Sequence, residues 1–157
     1  MSLAAPTLVH VCDLSVTVSA PIEAGQVQGL STQGRRRIIP IAGGTVRGRI
    51  NGKVLAGGAD FQMVVSSTTA DLDARYMLEL DDGSHVYVHN SALRRGSAED
   101  VAQLLAGQAV PPERIYFRCV PRFEVENPAL HWMTQSVFVG TGVRFPSGVE
   151  ISIFELL

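Results

Sequence analysis

A few polar side chains lie inside runs of apolar residues, and these positions are the most able to do chemistry. Asp60 follows the small residues Gly57-Gly58-Ala59 and precedes Phe61-Gln62-Met63-Val64-Val65. A carboxyl group buried there without a partner has a raised pKa, which is one way in which proteins make general bases. Gln62 shares the strand face of Asp60. Alternatively, Asp60 accepts hydrogen bonds from the backbone amides of the Gly57-Gly58 turn and has a structural role.

Two later segments also carry polar side chains within apolar runs that are candidates for catalysis or ligand binding. Tyr76 lies in the leucine-rich face of residues 72–80, so its hydroxyl needs a partner inside the protein. One alternating face of residues 114–125 carries Arg114, Tyr116, Arg118, Arg122 and Glu124. That face is either a solvated outer surface, whose ion pairs add little stability, or the lining of a polar cavity. In a cavity, Tyr116 and Arg118 would bind a carboxylate or enolate oxygen. Trp132, the only tryptophan, then either fills the core or covers a pocket.

Most common catalytic and cofactor motifs do not occur in the sequence. Residues 48–54 resemble a phosphate-binding loop, but the spacing is one residue short and Val54 replaces the Ser or Thr that holds Mg²⁺. There is no dinucleotide fingerprint and no Gly-x-Ser-x-Gly nucleophile motif. His85 and His89 would lie about 13 Å apart along a strand, too far to share one ion. We therefore expect no metal and no cofactor.

The elements that must position these residues are mostly strands, because apolar and polar residues alternate with a period of two along most of the chain. We predict about nine or ten strands, at residues 7–18, 21–28, 35–41, 45–50, 59–66, 72–80, 85–93, 114–125, 135–143 and 149–156. Asn51-Gly52 between apolar runs indicates a hairpin. One clear helix is predicted over residues 97–105, with Ser97 as its N-cap and Asp100 at the capping-box position.

The segment 72–80 alternates cleanly, so its inner and outer faces can be predicted separately. Asp73, Arg75, Met77 and Glu79 are expected on the outer face. A slip of one residue would bury several unpaired charges at a high cost in free energy. The interior should therefore receive Leu72, Ala74, Tyr76, Leu78 and Leu80.

Composition indicates one well-buried domain over residues 1–157, without a linker or a repeat. Hydrophobic residues make up 46% of the chain and charged residues 18%, and the net charge is −2. This charge excludes a field of one sign that would recruit nucleic acid or an anionic membrane. Cys12 and Cys119 are expected as buried thiols, with a single bridge between them as the alternative. With no export signal and no apolar run of membrane-spanning length, we expect a cytoplasmic protein.

The same segments resemble the bacterial and fungal family catalogued as domain of unknown function 3237. The resemblance runs through Gly57-Gly58-Ala59-Asp60-Phe61-Gln62, Ala74-Arg75-Tyr76, Tyr116-Phe117-Arg118, Pro121-x-Phe123-Glu124, Trp132 and Phe138-Val139-Gly140. Phe61 stands where the family has Trp, which keeps an aromatic ring but removes an N–H donor. The resemblance implies a closed or strongly curved, mainly antiparallel, lipocalin-like β-barrel that forms a homo-oligomer, a dimer or larger. It implies no established activity.

Several functions are compatible with these observations. The first is a cofactor-independent isomerase, hydratase or lyase acting beside a carbonyl or carboxylate, in which Asp60 moves the proton and Tyr76, Tyr116 or Arg118 holds the developing oxyanion. The second is a carrier of a small apolar acid, which would use Arg118 for the carboxylate and Trp132 as a lid. The third is an oligomeric structural or interaction protein. The candidate catalytic residues are thus Asp60, Tyr76 and Arg118, and the candidate ligand-binding residues are Gln62, Arg75, Tyr116, Glu124 and Trp132.

Overall fold

The computed structural model describes all 157 residues, and its strands form one antiparallel sheet that closes into a barrel. The ten strands are β1 (Leu8–Val18), β2 (Ile22–Gln28), β3 (Gln33–Gly48), β4 (Gly52–Val54), β5 (Ala59–Val64), β6 (Thr69–Leu80), β7 (His85–Arg95), β8 (Tyr116–Val125), β9 (Val137–Phe145) and β10 (Gly148–Leu156). Strands β4 and β5 both pair with β3 and β6, and β1 pairs with β3 and β10 to close the ring. The predicted all-β barrel is confirmed as eight closed strands with two extra ones.

Helical structure is limited to short segments outside the barrel wall. The helix α1 (Ala98–Leu105) begins at its N-cap Ser97, whose side chain accepts a hydrogen bond from the backbone amide of Asp100, as predicted. The carboxylate of Asp100 binds Arg114. Two 3₁₀ helices cover Pro112–Arg114 and Pro128–Thr134, and the second contains Trp132. No helix has both the length and the apolar character to cross a membrane.

The prediction of two strands around Ala42-Gly43-Gly44 is wrong, because one continuous strand runs through these residues. The first half of β3 pairs with β2 and β5, and its second half pairs with β1 and β4. Gly44 has φ +144°, and a Cβ added there would lie 2.1 Å from the carbonyl oxygen of Ser15. Gly44 therefore marks a close contact between β3 and β1 rather than a turn. The turn itself comes at Asn51, whose side chain binds the backbone of Gly48.

The predicted faces of residues 72–80 are confirmed. Leu72, Tyr76, Leu78 and Leu80 are buried, whereas Arg75 is exposed. Strand β8 alternates in the same way, with Phe117, Cys119 and Phe123 buried. The core of the barrel is thus built from one face of every long strand.

Both cysteines are free and buried, so no bridge joins them. Cys12 is 1% exposed and Cys119 is 2% exposed, and both belong to the main apolar cluster of the core. Burial raises the pKa of the Cys12 thiol to about 12. A thiol in this state is a poor nucleophile, so Cys12 acts as a small core side chain.

Candidate functional site

A cavity with a mostly apolar wall lies inside the barrel. The centre of a water molecule can reach about 50 Å³ of space there. One water needs roughly 10–15 Å³ on this measure, so the cavity accommodates a few waters or one small molecule. The polar side chains in its lining are Asp60, Gln62, Tyr76, Asn90 and Arg144.

The register of four neighbouring strands brings three of these side chains together. Ile39 of β3 pairs with Asp60 of β5, Asp60 pairs with Ala74 of β6, and Ala74 pairs with Asn90 of β7. Paired residues of antiparallel strands point to the same face of the sheet. The methyl group of Ala74 therefore leaves open space between the Asp60 carboxyl and the Asn90 amide, and Tyr76 borders that space two residues further along β6.

Asp60 is held at both carboxyl oxygens. Its Oδ2 accepts a hydrogen bond of 2.8 Å from Nε2 of Gln62, and its Oδ1 accepts one of 3.1 Å from the backbone amide of Asp73. Burial raises the pKa of the Asp60 carboxyl, although the Gln62 bond, the charge of Arg94 and the Asp73 amide act in the opposite direction. The amides of the Gly57-Gly58 turn are not its partners, so the capping alternative does not describe its contacts.

Three buried polar atoms of the cavity lining have no hydrogen-bond partner. They are Oε1 of Gln62, the hydroxyl of Tyr76 and Oδ1 of Asn90, and these residues are 4%, 4% and 3% exposed. Leaving a buried polar atom unpaired costs about 1–3 kcal/mol, and in native proteins nearly all such atoms bind a protein group, a water or a ligand. Because the three atoms belong to side chains that line one cavity, they are suited to bind a shared ligand.

Three arginines approach the same end of the barrel from inside. Arg37 of β3 is 5% exposed and Arg94 of β7 is 4% exposed, while Arg144 of β9 is half-buried and lines the cavity. Burial lowers the pKa of Arg94 to about 10, and the charge of Asp60 opposes this shift. Burial and the charge of Arg37 also lower the pKa of Arg144. This end of the cavity is consequently rich in positive charge.

The structure brings only part of the predicted site together. Asp60, Gln62 and Tyr76 line the cavity. By contrast, Tyr116, Arg118 and Glu124 are exposed on the outer face of β8, and Arg75 is exposed on the outer face of β6. The expected meeting of Tyr116 and Arg118 with Asp60 in one cavity does not occur, because β8 turns its opposite face inward. Arg75 lies on the outer face that the alternation predicts for it.

The outward residues make contacts of their own. Nη1 of Arg118 donates to Oγ1 of Thr141 at 2.9 Å, and its guanidinium carbon lies 5.1 Å from the ring centre of Tyr116. Trp132 packs against Phe138 in the core, and the guanidinium carbon of Arg49 lies 3.6 Å from the centre of the indole ring. Trp132 thus fills the core under Arg49 and does not line the cavity.

Sequence reasoning missed Asn90, Arg94 and Arg144. A signal existed for the first two, since Val86, Val88, Asn90, Ala92 and Arg94 alternate along one face of β7. The apolar members of that series predict that its polar members also point inward. Arg144 follows Gly140 and Gly142 in the same phase of β9, and glycines give no hydrophobic signal.

No group of three or more His, Cys, Asp and Glu side chains is arranged to hold a metal ion. His89 instead contacts the carboxylate of Asp73 at 2.6 Å on the outer face, and His85 contacts Glu79 at 3.3 Å. The chemistry available to the cavity residues is therefore proton transfer by a carboxyl, hydrogen bonding by a phenol and two amides, and charge stabilisation by guanidinium groups.

Comparisons with known proteins agree on one family. The sequence profile of the family described as "Protein of unknown function (DUF3237)" matches residues 6–156. A UPF0311 protein of Rhodopseudomonas palustris is 42% identical over 142 residues, which cover 90% of this chain and 93% of that protein. The crystal structure of R. palustris RPA1785 has a TM-score of 0.91 at 38% identity and covers 99% of this chain and 100% of that one. A β-barrel-like protein of Acinetobacter baumannii has a TM-score of 0.84 at 36% identity, covering 99% of both chains. The chain belongs to this uncharacterised family, DUF3237, also named UPF0311.

Proposed function

We propose that this protein is a cofactor-independent enzyme that moves a proton beside the carbonyl or carboxylate group of a small molecule. One observation carries the proposal: a carboxyl of raised pKa shares a cavity with three buried polar atoms that have no partner in the protein. Catalytic acids and bases are often carboxyl groups that lie in clefts with apolar walls and have a shifted pKa. Isomerases, hydratases and lyases that act beside a carbonyl group all use a carboxyl that transfers a proton and polar groups that bind the substrate.

In this proposal Asp60 is the group that takes and returns the proton. Its raised pKa brings the carboxyl closer to neutral pH, where a general acid or base is most effective. The hydrogen bond from Gln62 and the bond from the Asp73 amide fix the orientation of the carboxyl. A fixed carboxyl reduces the entropy that is lost when substrate and base meet.

Tyr76 would stabilise the negative charge that develops on the substrate oxygen. Burial raises the pKa of Tyr76 far above its ordinary value, so the hydroxyl keeps its proton and can donate a hydrogen bond. A donor in a water-poor cavity is worth more than the same donor in solvent. Oδ1 of Asn90 and Oε1 of Gln62 would accept hydrogen bonds from hydroxyl groups of the substrate and so orient it.

The polar lining favours an enzyme over a carrier of apolar compounds. A carrier of such compounds needs apolar walls, which the cavity has, but it does not need a buried carboxyl or an unpaired phenol. Each of these groups lowers the stability of the folded chain. Catalysis explains why they would be present together in one small cavity.

The test is deuterium uptake by 2-butanone in D2O, which reports proton removal next to a carbonyl. The wild type should accelerate the exchange, and Asp60→Asn should lower the rate by about 10²-fold or more. Asp71→Asn is the matched control, because Asp71 is exposed on β6, and its rate should equal that of the wild type. Equal exchange by the wild type and Asp60→Asn would contradict the proposal. Binding of 2-butanone without exchange would also contradict it and would favour a carrier.

A further inference from the structure

The charges at one end of the cavity do not balance within the protein. Arg37 has a partner, because its Nε donates to Glu23 at 2.7 Å, and Glu23 also binds Arg35. Arg37 further lies 3.5 Å from the carbonyl of Leu105 at the end of α1. Glu23 thus provides the counter-charge for Arg37 at the barrel end that α1 approaches.

Arg94 and Arg144 have no such counter-charge in contact. Arg94 is 4% exposed, no carboxylate forms a salt bridge with it, and Asp60 is the carboxyl whose charge acts on it. Arg144 donates to the carbonyl of Gly148 at 2.9 Å and has no carboxylate partner. Asp60 is the one carboxyl whose charge acts on both. Two guanidinium charges therefore face a single carboxyl, and burial raises the pKa of that carboxyl.

Unpaired buried charge is unfavourable for the folded state. Taking a guanidinium out of water costs several kcal/mol unless an opposite charge and hydrogen bonds replace the water. The lowered pKa values of Arg94 and Arg144 have this cause. A bound anion would supply the missing charge and hydrogen-bond acceptors, and Arg144 already lines the cavity.

We propose that the substrate is a small carboxylate whose carboxylate group binds Arg144, with the charge of Arg94 adding to the attraction. This inference rests on the proposed function and names its substrate class. Guanidinium groups match the two oxygens of a carboxylate in a bidentate geometry. The aliphatic walls formed by Val16, Ile41 and Ile151 suit a short carbon chain. The reacting carbon then lies between the bound carboxylate and the Asp60 carboxyl.

The test is isothermal titration of the purified protein with butyrate, butyramide and inorganic phosphate. Butyrate should bind about tenfold or more tightly than butyramide, which has the same shape without the charge. Arg144→Gln should weaken butyrate binding about tenfold or more, and Arg94→Gln should weaken it to a smaller extent. Arg122→Gln is the matched control, because Arg122 is exposed on β8, and it should leave the affinity unchanged.

Equal affinity for butyrate and butyramide, or an effect of Arg122→Gln as large as that of Arg144→Gln, would overturn the inference. Phosphate binding tighter than butyrate binding would overturn the carboxylate assignment. Arg94→Gln removes a buried charge that has no salt-bridge partner, so the variant should remain folded. Circular dichroism checks this.

The two proposals fail in distinguishable ways. Deuterium exchange of the neutral 2-butanone, together with equal affinities for butyrate and butyramide, would support proton transfer and reject the carboxylate substrate. Tight butyrate binding by both the wild type and Asp60→Asn, without exchange of 2-butanone, would retain the carboxylate site and reject proton transfer.

Discussion

Asp60 shows how a single residue can be destabilising in the fold and useful in the site. Its two hydrogen bonds, from Gln62 and from the Asp73 amide, would hold a neutral carboxyl or an amide equally well. Gln62 can turn its amide so that the unpaired Oε1 becomes the acceptor. Asn at position 60 therefore keeps both contacts and removes only the charge.

We expect Asp60→Asn to be more stable than the wild type at neutral pH. Because the folded-state pKa of Asp60 is raised, the folded chain holds its proton where the unfolded chain, with a pKa of about 3.9, has released it. The stability of the wild type is therefore full below the unfolded pKa and falls as pH rises through the folded pKa. Arg94, Arg144 and Asp73 are the charged groups coupled to this titration.

Urea denaturation across this pH range measures the effect. The stability gain of Asp60→Asn over the wild type should grow as pH rises and then level off. Asp71→Asn removes an exposed acidic charge from the same sheet and is the control for a general effect of charge removal. A variant less stable than the wild type at neutral pH would mean that the Asp60 charge stabilises the fold through Arg94.

Part of the candidate site was predictable residue by residue. Asp60, Gln62 and Tyr76 interrupt apolar runs, and the structure has them in one cavity. Tyr116 and Arg118 also lie beside apolar residues, but the opposite face of their strand carries Phe117 and Phe123, and that face turned inward. Alternation alone shows that the strand has two different faces. The more apolar face is the one that points into the barrel, because its burial is favourable.

At the scale of elements, β3 joins more neighbours than any other strand. It pairs with β1, β2, β4 and β5, and it continues through Gly43 and Gly44, next to a shift in its register with β1. The sequence predicts separate strands on either side of Ala42-Gly43-Gly44, because strand ends and close contacts between strands both use glycine. Which of the two occurs depends on a partner strand that is about 30 residues distant in the chain, which local patterns do not report.

We predict that Gly44→Ala destabilises the barrel much more than Gly43→Ala. Both glycines have positive φ, +154° at Gly43 and +144° at Gly44, so both substitutions strain the backbone. A Cβ at Gly44 would also lie 2.1 Å from the carbonyl oxygen of Ser15, whereas the nearest atom at Gly43 is 3.7 Å away. The excess loss for Gly44→Ala should be about 1–3 kcal/mol, measured by urea denaturation. Equal losses would show that the close approach of β1 to β3 adds nothing to the strain.

For the whole molecule, closure of the barrel determines which residues share the interior. Closure depends on the pairing of β1 with both β3 and β10, which joins the two ends of the chain. Strand positions and most inner faces follow from the sequence pattern, but this long-range pairing does not, and the barrel was expected chiefly because of the family resemblance. Asn90 meets Asp60 through the register of the neighbouring strands β5, β6 and β7, whereas Arg144 of β9 reaches the same cavity because the barrel closes. The homo-oligomer implied by the resemblance stays a prediction.

The most direct test of the interior site is backbone amide NMR of the ¹⁵N-labelled protein during titration with 2-oxobutanoate. This probe carries both the carbonyl group of the proposed reaction and the carboxylate group of the proposed substrate, so its binding locates both at one site. We expect saturable shifts at Asp60, Ala74, Asn90 and Arg144, because these residues surround the cavity or border it in the strand register. Shifts confined to the outer face of β8, around Arg118, or no saturable shift at all, would contradict the interior site.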